Sequence, residues 1–97
     1  MLDEKANQFD LIFKALSDSR RRKIVDMLTN IPLTTGYICQ SFPELGRATV
    51  MQHIGVLEAA GLVTIKRVGK HRWNYLNKKP IEMVHSLWIS KLLINHS

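Results

Sequence analysis

The stretch 47-RATVMQHIGVLEAAGLVTIKRVGKHRWNYL-76 decides the fold. Its first half predicts a helix from Arg47 to Ala60. Val50, Ile54 and Leu57 recur at i, i+4 and i+7, the spacing of a buried helix face. Arg47, Ala48, Met51, Gln52 and Gly55 face the other way. Gly61 stands where a left-handed cap ends a helix. Leu62 to Arg67 is then rich in β-branched residues. Val68, Gly69 and Lys70 make a turn, and His71 to Leu76 continues with Trp73 and Tyr75 in alternation. This predicts a β-hairpin with basic residues on both arms and at the tip.

A short helix from Thr35 to Phe42 precedes this stretch, carrying Ile38, Cys39 and Phe42. Pro43 stops it, and Glu44, Leu45 and Gly46 form a turn. Two helices joined by a tight turn make a helix-turn-helix pattern. The outward side of its second helix suits a DNA major groove. Arginine pairs with guanine, glutamine with adenine, and small side chains admit thymine methyls. The hairpin can reach phosphates beside it. Trp73 and Tyr75 could stack on bases, but packing on the helices is preferred, because a small domain needs aromatic core volume.

Further out, Asp3 to Leu16 reads as a helix with Phe9, Ile12, Phe13 and Leu16 on one apolar stripe. Ser17 and Asp18 can cap the next helix, Ser19 to Thr29, which buries Ile24, Val25 and Leu28. Arg20, Arg21, Arg22 and Lys23 lie near its start, where positive charge opposes the helix dipole. An external anion, or pairing to Asp18 or Asp26, would compensate. Pro80 fits the start of a last helix running to Ile94. Ile81, Val84, Leu87, Trp88, Leu92 and Leu93 give it more apolar surface than one small domain can bury. The excess predicts a partner surface, most simply a symmetric dimer.

The whole chain of 97 residues allows one domain, 1–97. Its 45% hydrophobic and 23% charged content is that of a globular protein. Lys and Arg number 14 against 8 Asp and Glu, a net charge of +6, which suggests a polyanionic partner. The charge gathers in two clusters, Arg20 to Lys23 and Lys66 to Arg72, with Lys78 and Lys79 extending the second. No apolar run is long enough to span a bilayer, so no membrane partner is expected. The start, MLDEKANQFD, lacks the basic-then-apolar order of a signal peptide. With Cys39 alone, no internal disulfide forms, and a reducing cytoplasm is the expected compartment.

In order and spacing, FKALSDSRRRKIVDML, RATVMQHIGVLEAAGLV and VGKHRWNYLN resemble the ArsR/SmtB family of winged-helix repressors. The resemblance runs from about Phe9 to Leu93. It implies a mainly α winged helix-turn-helix, in the order α-α-α-α-β-β-α, that dimerises through its terminal helices. Residues 1–16 and 80–95 would be the dimerisation helices, 35–60 the helix-turn-helix and 62–77 the wing. The implied function is a homodimeric repressor on an inverted-repeat, double-stranded DNA operator. By position, Arg47, Ala48, Thr49, Met51, Gln52 and His53 match the recognition helix, where His53 either donates to a phosphate or packs between helices beside the wing. Lys66, Arg67, Lys70, His71 and Arg72 match the wing, and Arg21 and Arg22 match the paired arginines of the second helix, which support structure as well as phosphate binding. Phe9, Ile12, Val84, Leu87, Trp88 and Leu92 are the expected dimer contacts.

The chain departs from the family pattern in four places. The turn in FPELGRATV is one residue longer than the usual form. Gly46 stands where a capping Ser or Thr is common. The Cys-x-Cys metal box is absent, since Thr34 and Gly36 hold the cysteine positions and neither offers a thiolate. Cys39 reads as a small core residue, with a redox switch as the other reading. Glu82, His85 and His96 do not reproduce the family's second metal pattern, although zinc shared across a dimer stays open. No cofactor or metal is therefore expected. No Gly-rich phosphate loop or paired carboxylate supports an enzyme. The alternative function is a winged-helix protein-interaction module without DNA binding, which would have no need of so basic a wing.

Overall fold

A computed structural model describes residues 4–94. Asp3, the expected start of the first helix, and His96 lie outside them. The helices are α1 (Glu4–Leu16), α2 (Ser19–Met27), α3 (Thr35–Gln40) and α4 (Arg47–Ala59). A two-residue strand β1 (Leu33–Thr34) separates α2 from α3; β2 (Val63–Val68) and β3 (His71–Leu76) follow α4. The described residues close with α5 (Lys79–Val84), a π turn (His85–Ile89) and α6 (Ser90–Ile94). The architecture is a winged helix-turn-helix, mainly helical, with one antiparallel sheet in the order β1-β3-β2.

Three helix boundaries follow from local causes. Asp18 adopts an extended conformation and accepts from the amides of Arg20 and Arg21, at 2.8 and 3.4 Å, which starts α2. Thr34 does the same for α3 by accepting from the amide of Tyr37. At the end of α4, Gly61 has φ +78°, which an L side chain rarely adopts. The Leu62 amide reaches the Leu57 carbonyl and the Gly61 amide reaches Glu58, the paired closure of a Schellman motif. Gly69, at φ +60°, opens the two-residue loop of the hairpin, the glycine-first pattern of a tight turn.

The core forms where α1, α2, α3, α4 and the base of the wing meet. Ile12, Ile24, Ile38, Phe42, Val50, Leu57 and Leu62 are its fully enclosed large side chains. Asn77 closes the base of the wing: its amide N–H donates to the Leu62 carbonyl and its Nδ2 to the Gly61 carbonyl. Its Oδ1 accepts from the Lys79 amide, so the same side chain starts α5.

The structure corrects several expectations. Ile12 and Val84 are 1% and 4% exposed, so they belong to the subunit's own core and not to a dimer contact. Phe13 leaves the inward stripe and meets Trp88 edge to face, with ring centroids 5.6 Å apart. The last helix is not one regular α-helix. It widens into a π turn, where the Ser86 and Ser90 hydroxyls bond back to the carbonyls of Met83 and Ser86.

The hairpin packs with the opposite face to the one expected. Asn74 is fully buried, and its Nδ2 donates to the Leu33 carbonyl at 3.2 Å and to Thr35 Oγ1 at 3.0 Å. Since strand side chains alternate, Trp73 and Tyr75 lie on the face away from it, half-buried, and they do not pack on the helices as expected. There Lys66 stands 5.4 Å from the centroid of the Tyr75 ring and pairs across the strands with Trp73.

Candidate nucleic-acid interface

The interface is built on α4 and the wing. The buried line Val50, His53, Ile54 and Leu57 fixes the rotation of α4 about its axis. Arg47, Ala48 and Gln52 are consequently exposed, with Thr49 and Met51 half-buried beside them. Along α4 the one acidic residue is Glu58, near the far end. In the wing, Lys66, Arg67, Lys70 and His71 are exposed. Arg72 is half-buried, and its Nε is enclosed without a hydrogen-bond partner.

These two groups meet in one cleft of about 470 Å³. Arg47 enters from the start of α4, while Lys70, His71 and Arg72 enter from the wing. Tyr37 and Gln40 of α3 complete the wall, and sequence reasoning missed both. A signal for them existed. They lie three apart on the side of α3 opposite Thr35 and Ile38, the side that a buried helix leaves outward.

His53 does not belong to the outward face. It is 8% exposed, and its Nδ1 lies 3.1 Å from Nη1 of Arg21. A guanidinium only donates, so Nδ1 accepts and the ring is the neutral tautomer with its proton on Nε2. That Nε2 is buried without a partner. Burial is the main cause that holds the His53 pKa below its ordinary 6.5; the Asp18 carboxylate opposes this, and Arg20 and Arg21 reinforce it.

A pH dependence follows, with a definite sign. Because the folded state disfavours the protonated ring, the contribution of neutral His53 is complete above about 6.5 and is lost as pH falls toward the lowered folded pKa. The midpoint of urea unfolding should therefore drop as pH falls below about 6.5, and His53→Gln should flatten that drop. An equally steep fall in the variant would reject the assignment.

The first basic cluster is consumed by the fold. Arg21 donates from Nε to the Ala15 carbonyl at 2.7 Å and from Nη2 to Lys14, while Arg22 donates to the Leu16 carbonyl at 2.7 Å. These are carbonyls of the last turn of α1, where cations are also favoured by the helix dipole. Arg20 pairs with Asp18 at 3.0 Å and holds that carboxyl well below the usual carboxylate range. Lys23 donates to the Ser41 carbonyl and lies over the Phe42 ring. Arg21 and Arg22 thus lock helices together, which is the structural side of the role expected of them. The compensation for charge at the start of α2 is internal, through Asp18 and not Asp26.

Cys39 is a half-buried free thiol. Among the described residues, no three His, Cys, Asp or Glu side chains gather where a metal ion could bind. Nor is any described helix long and apolar enough to cross a membrane.

Comparison with known proteins agrees with this geometry. Residues 16–66 match the family described as a helix-turn-helix domain. The uncharacterized HTH-type transcriptional regulator YuzN of Bacillus subtilis is 42% identical over 86 residues, covering 82% of this chain and 94% of YuzN. The transcriptional repressor SdpR of the same organism is 33% identical over 66 residues, covering 68% of this chain and 72% of SdpR. The crystal structure of an ArsR family transcriptional regulator superposes with a TM-score of 0.85 at 26% identity, covering 100% of this chain and 98% of that one. With a recognition helix exposed beside an open basic wing, and relatives that match across both, the chain belongs to the ArsR/SmtB-like winged helix-turn-helix family of DNA-binding transcriptional regulators.

Proposed function

We propose that this protein is a homodimeric repressor that binds an inverted-repeat operator without the family's typical metal-sensing site, and that it acts in the cytoplasm. Arg47, Ala48, Thr49, Met51 and Gln52 would meet base edges in the major groove. Lys66, Arg67, Lys70, His71 and Arg72 would meet phosphates. Phe9, Leu87, Trp88 and Leu92, with Phe13, would pair the two subunits and set the half-sites about one helical turn apart, some 34–36 Å.

One observation carries the reading. The fold engages the cluster Arg20 to Lys23 internally and leaves the wing cluster open beside the outward face of α4. The name of SdpR supports repression as the direction of control.

Titrating a random duplex against salt tests it. Six or more phosphate contacts predict a loss of affinity of about 10³-fold between roughly 50 and 200 mM salt. A protein-interaction module would show no duplex binding even at low salt. Within the site, Gln52→Ala should relax base preference at one half-site position by about 1–3 kcal/mol. Lys66→Ala should instead weaken all sequences alike and flatten the salt slope. Binding competition against a panel of operator variants separates the two effects, and an unchanged preference in Gln52→Ala would remove it from the reading set.

A further inference from the structure

The cleft between the wing tip, α3 and the start of α4 has properties that backbone binding alone does not require. Arg47, Lys70, His71 and Arg72 line one volume of about 470 Å³, and no carboxylate lines it with them. That volume lies in the range of small-molecule sites. Among the described residues, the one ion pair is Arg20 with Asp18, so Arg47, Lys70 and Arg72 enter none, although Glu58 lines a smaller neighbouring pocket together with Arg72. Arg72 is also held with an enclosed Nε–H that meets no acceptor. Tyr37 and Gln40 add a hydroxyl and an amide to the wall. A duplex strings its charges along its length, one per phosphate. Cations gathered round one point suit several negative charges carried by one compact group.

We propose that this cleft binds a compact, multiply charged phosphate group, such as the pyrophosphoryl or phosphomonoester end of a small molecule, and that its occupant competes with DNA. The competition rests on the function proposed above, because Arg47 and Lys70 would be shared between the two ligands. The site itself does not rest on it.

Calorimetric titration with sodium pyrophosphate, at constant ionic strength, tests the site. One pyrophosphate per subunit should bind, at least tenfold more weakly in Arg47→Gln and in Lys70→Gln. Both side chains are exposed, so neither variant disturbs the core. Lys79→Gln, an equal loss of charge outside the cleft, should bind as the unaltered chain does. Dimethyl phosphate, a singly charged diester like the DNA backbone, should bind at least tenfold more weakly than pyrophosphate. Equal binding of the two probes, or an equal loss in all three variants, would overturn the proposal.

Pyrophosphate should also release bound duplex beyond the effect of sodium chloride at matched ionic strength; release no greater than that of the chloride would overturn the competition. A chain that binds pyrophosphate in the cleft but never binds duplex upholds the site and overturns the proposed function. One that binds duplex but shows no cleft-specific pyrophosphate binding does the reverse.

Discussion

Replacing Trp88 by glutamate should leave the chain folded, make it monomeric, and lower its affinity for an inverted-repeat duplex by about 10²-fold or more. Trp88 is 45% exposed and sits edge-on to Phe13, among the exposed side chains of Leu87 and Leu92. Truncating a central interface tryptophan commonly costs about 2 kcal/mol or more, and a twofold axis doubles every change. A carboxylate in its place adds the cost of leaving water unpaired. Within the isolated subunit the change removes the edge contact with Phe13, about 0.5–1.5 kcal/mol, and leaves the enclosed core intact. Sedimentation should therefore show an 11 kDa species, with a cooperative unfolding transition whose midpoint no longer depends on protein concentration. The DNA loss follows because each half-site then binds alone, without the effective concentration that linkage supplies. A variant that still sediments as a dimer would remove the terminal helices from the interface.

The second large effect is expected at Asn74, where the wing joins the helix-turn-helix. Asn74→Ala strands the Leu33 carbonyl and the Thr35 hydroxyl, both of which now accept from Nδ2. Each unsatisfied buried group costs about 1–3 kcal/mol, so the two cost about 2–6 kcal/mol, offset in part because the change also removes the buried, unpartnered Asn74 Oδ1. Asn74→Asp should be worse than Ala, since it turns a donor into an acceptor facing acceptors and encloses a charge at a position with no exposure. Denaturant unfolding gives the order directly. If Asp were tolerated better than Ala, the donor role would be wrong. Because Asn74 ties β3 to β1 and α3, both variants should also loosen the wing and weaken duplex binding of every sequence.

What the sequence revealed and concealed divides by the range of the interactions. The helix from Arg47 and the hairpin beyond it are legible because periodicity, the Gly61 closure and the Gly69 turn are all local. So is the outward face of α4, once Val50, Ile54 and Leu57 are read as its inner side. His53 completes that inner side, but its burial depends on a guanidinium 32 positions earlier. Asn74 reads as an ordinary polar strand residue until it meets Thr35, 39 positions away. The four-cation run Arg20 to Lys23 looks identical in sequence whether it faces a polyanion or the end of another helix. Only the packing of α1 against α2 decides that. The dimer stripe was read too broadly for a related reason. An apolar residue on a terminal helix can serve its own core, as Ile12 and Val84 do, or a second chain, and periodicity marks both alike. The two-residue strand β1 left too short a pattern to register.

The clasp formed by Asn77 has a mechanical consequence. By gripping Gly61 and Leu62 on one side and the first turn of α5 on the other, it makes the hairpin and the C-terminal helix a single lever with a common fulcrum. A tilt of α5 would then be felt first at the base of the hairpin, and in the homodimer proposed above that joint is where a change at the terminal helices would reach the wings.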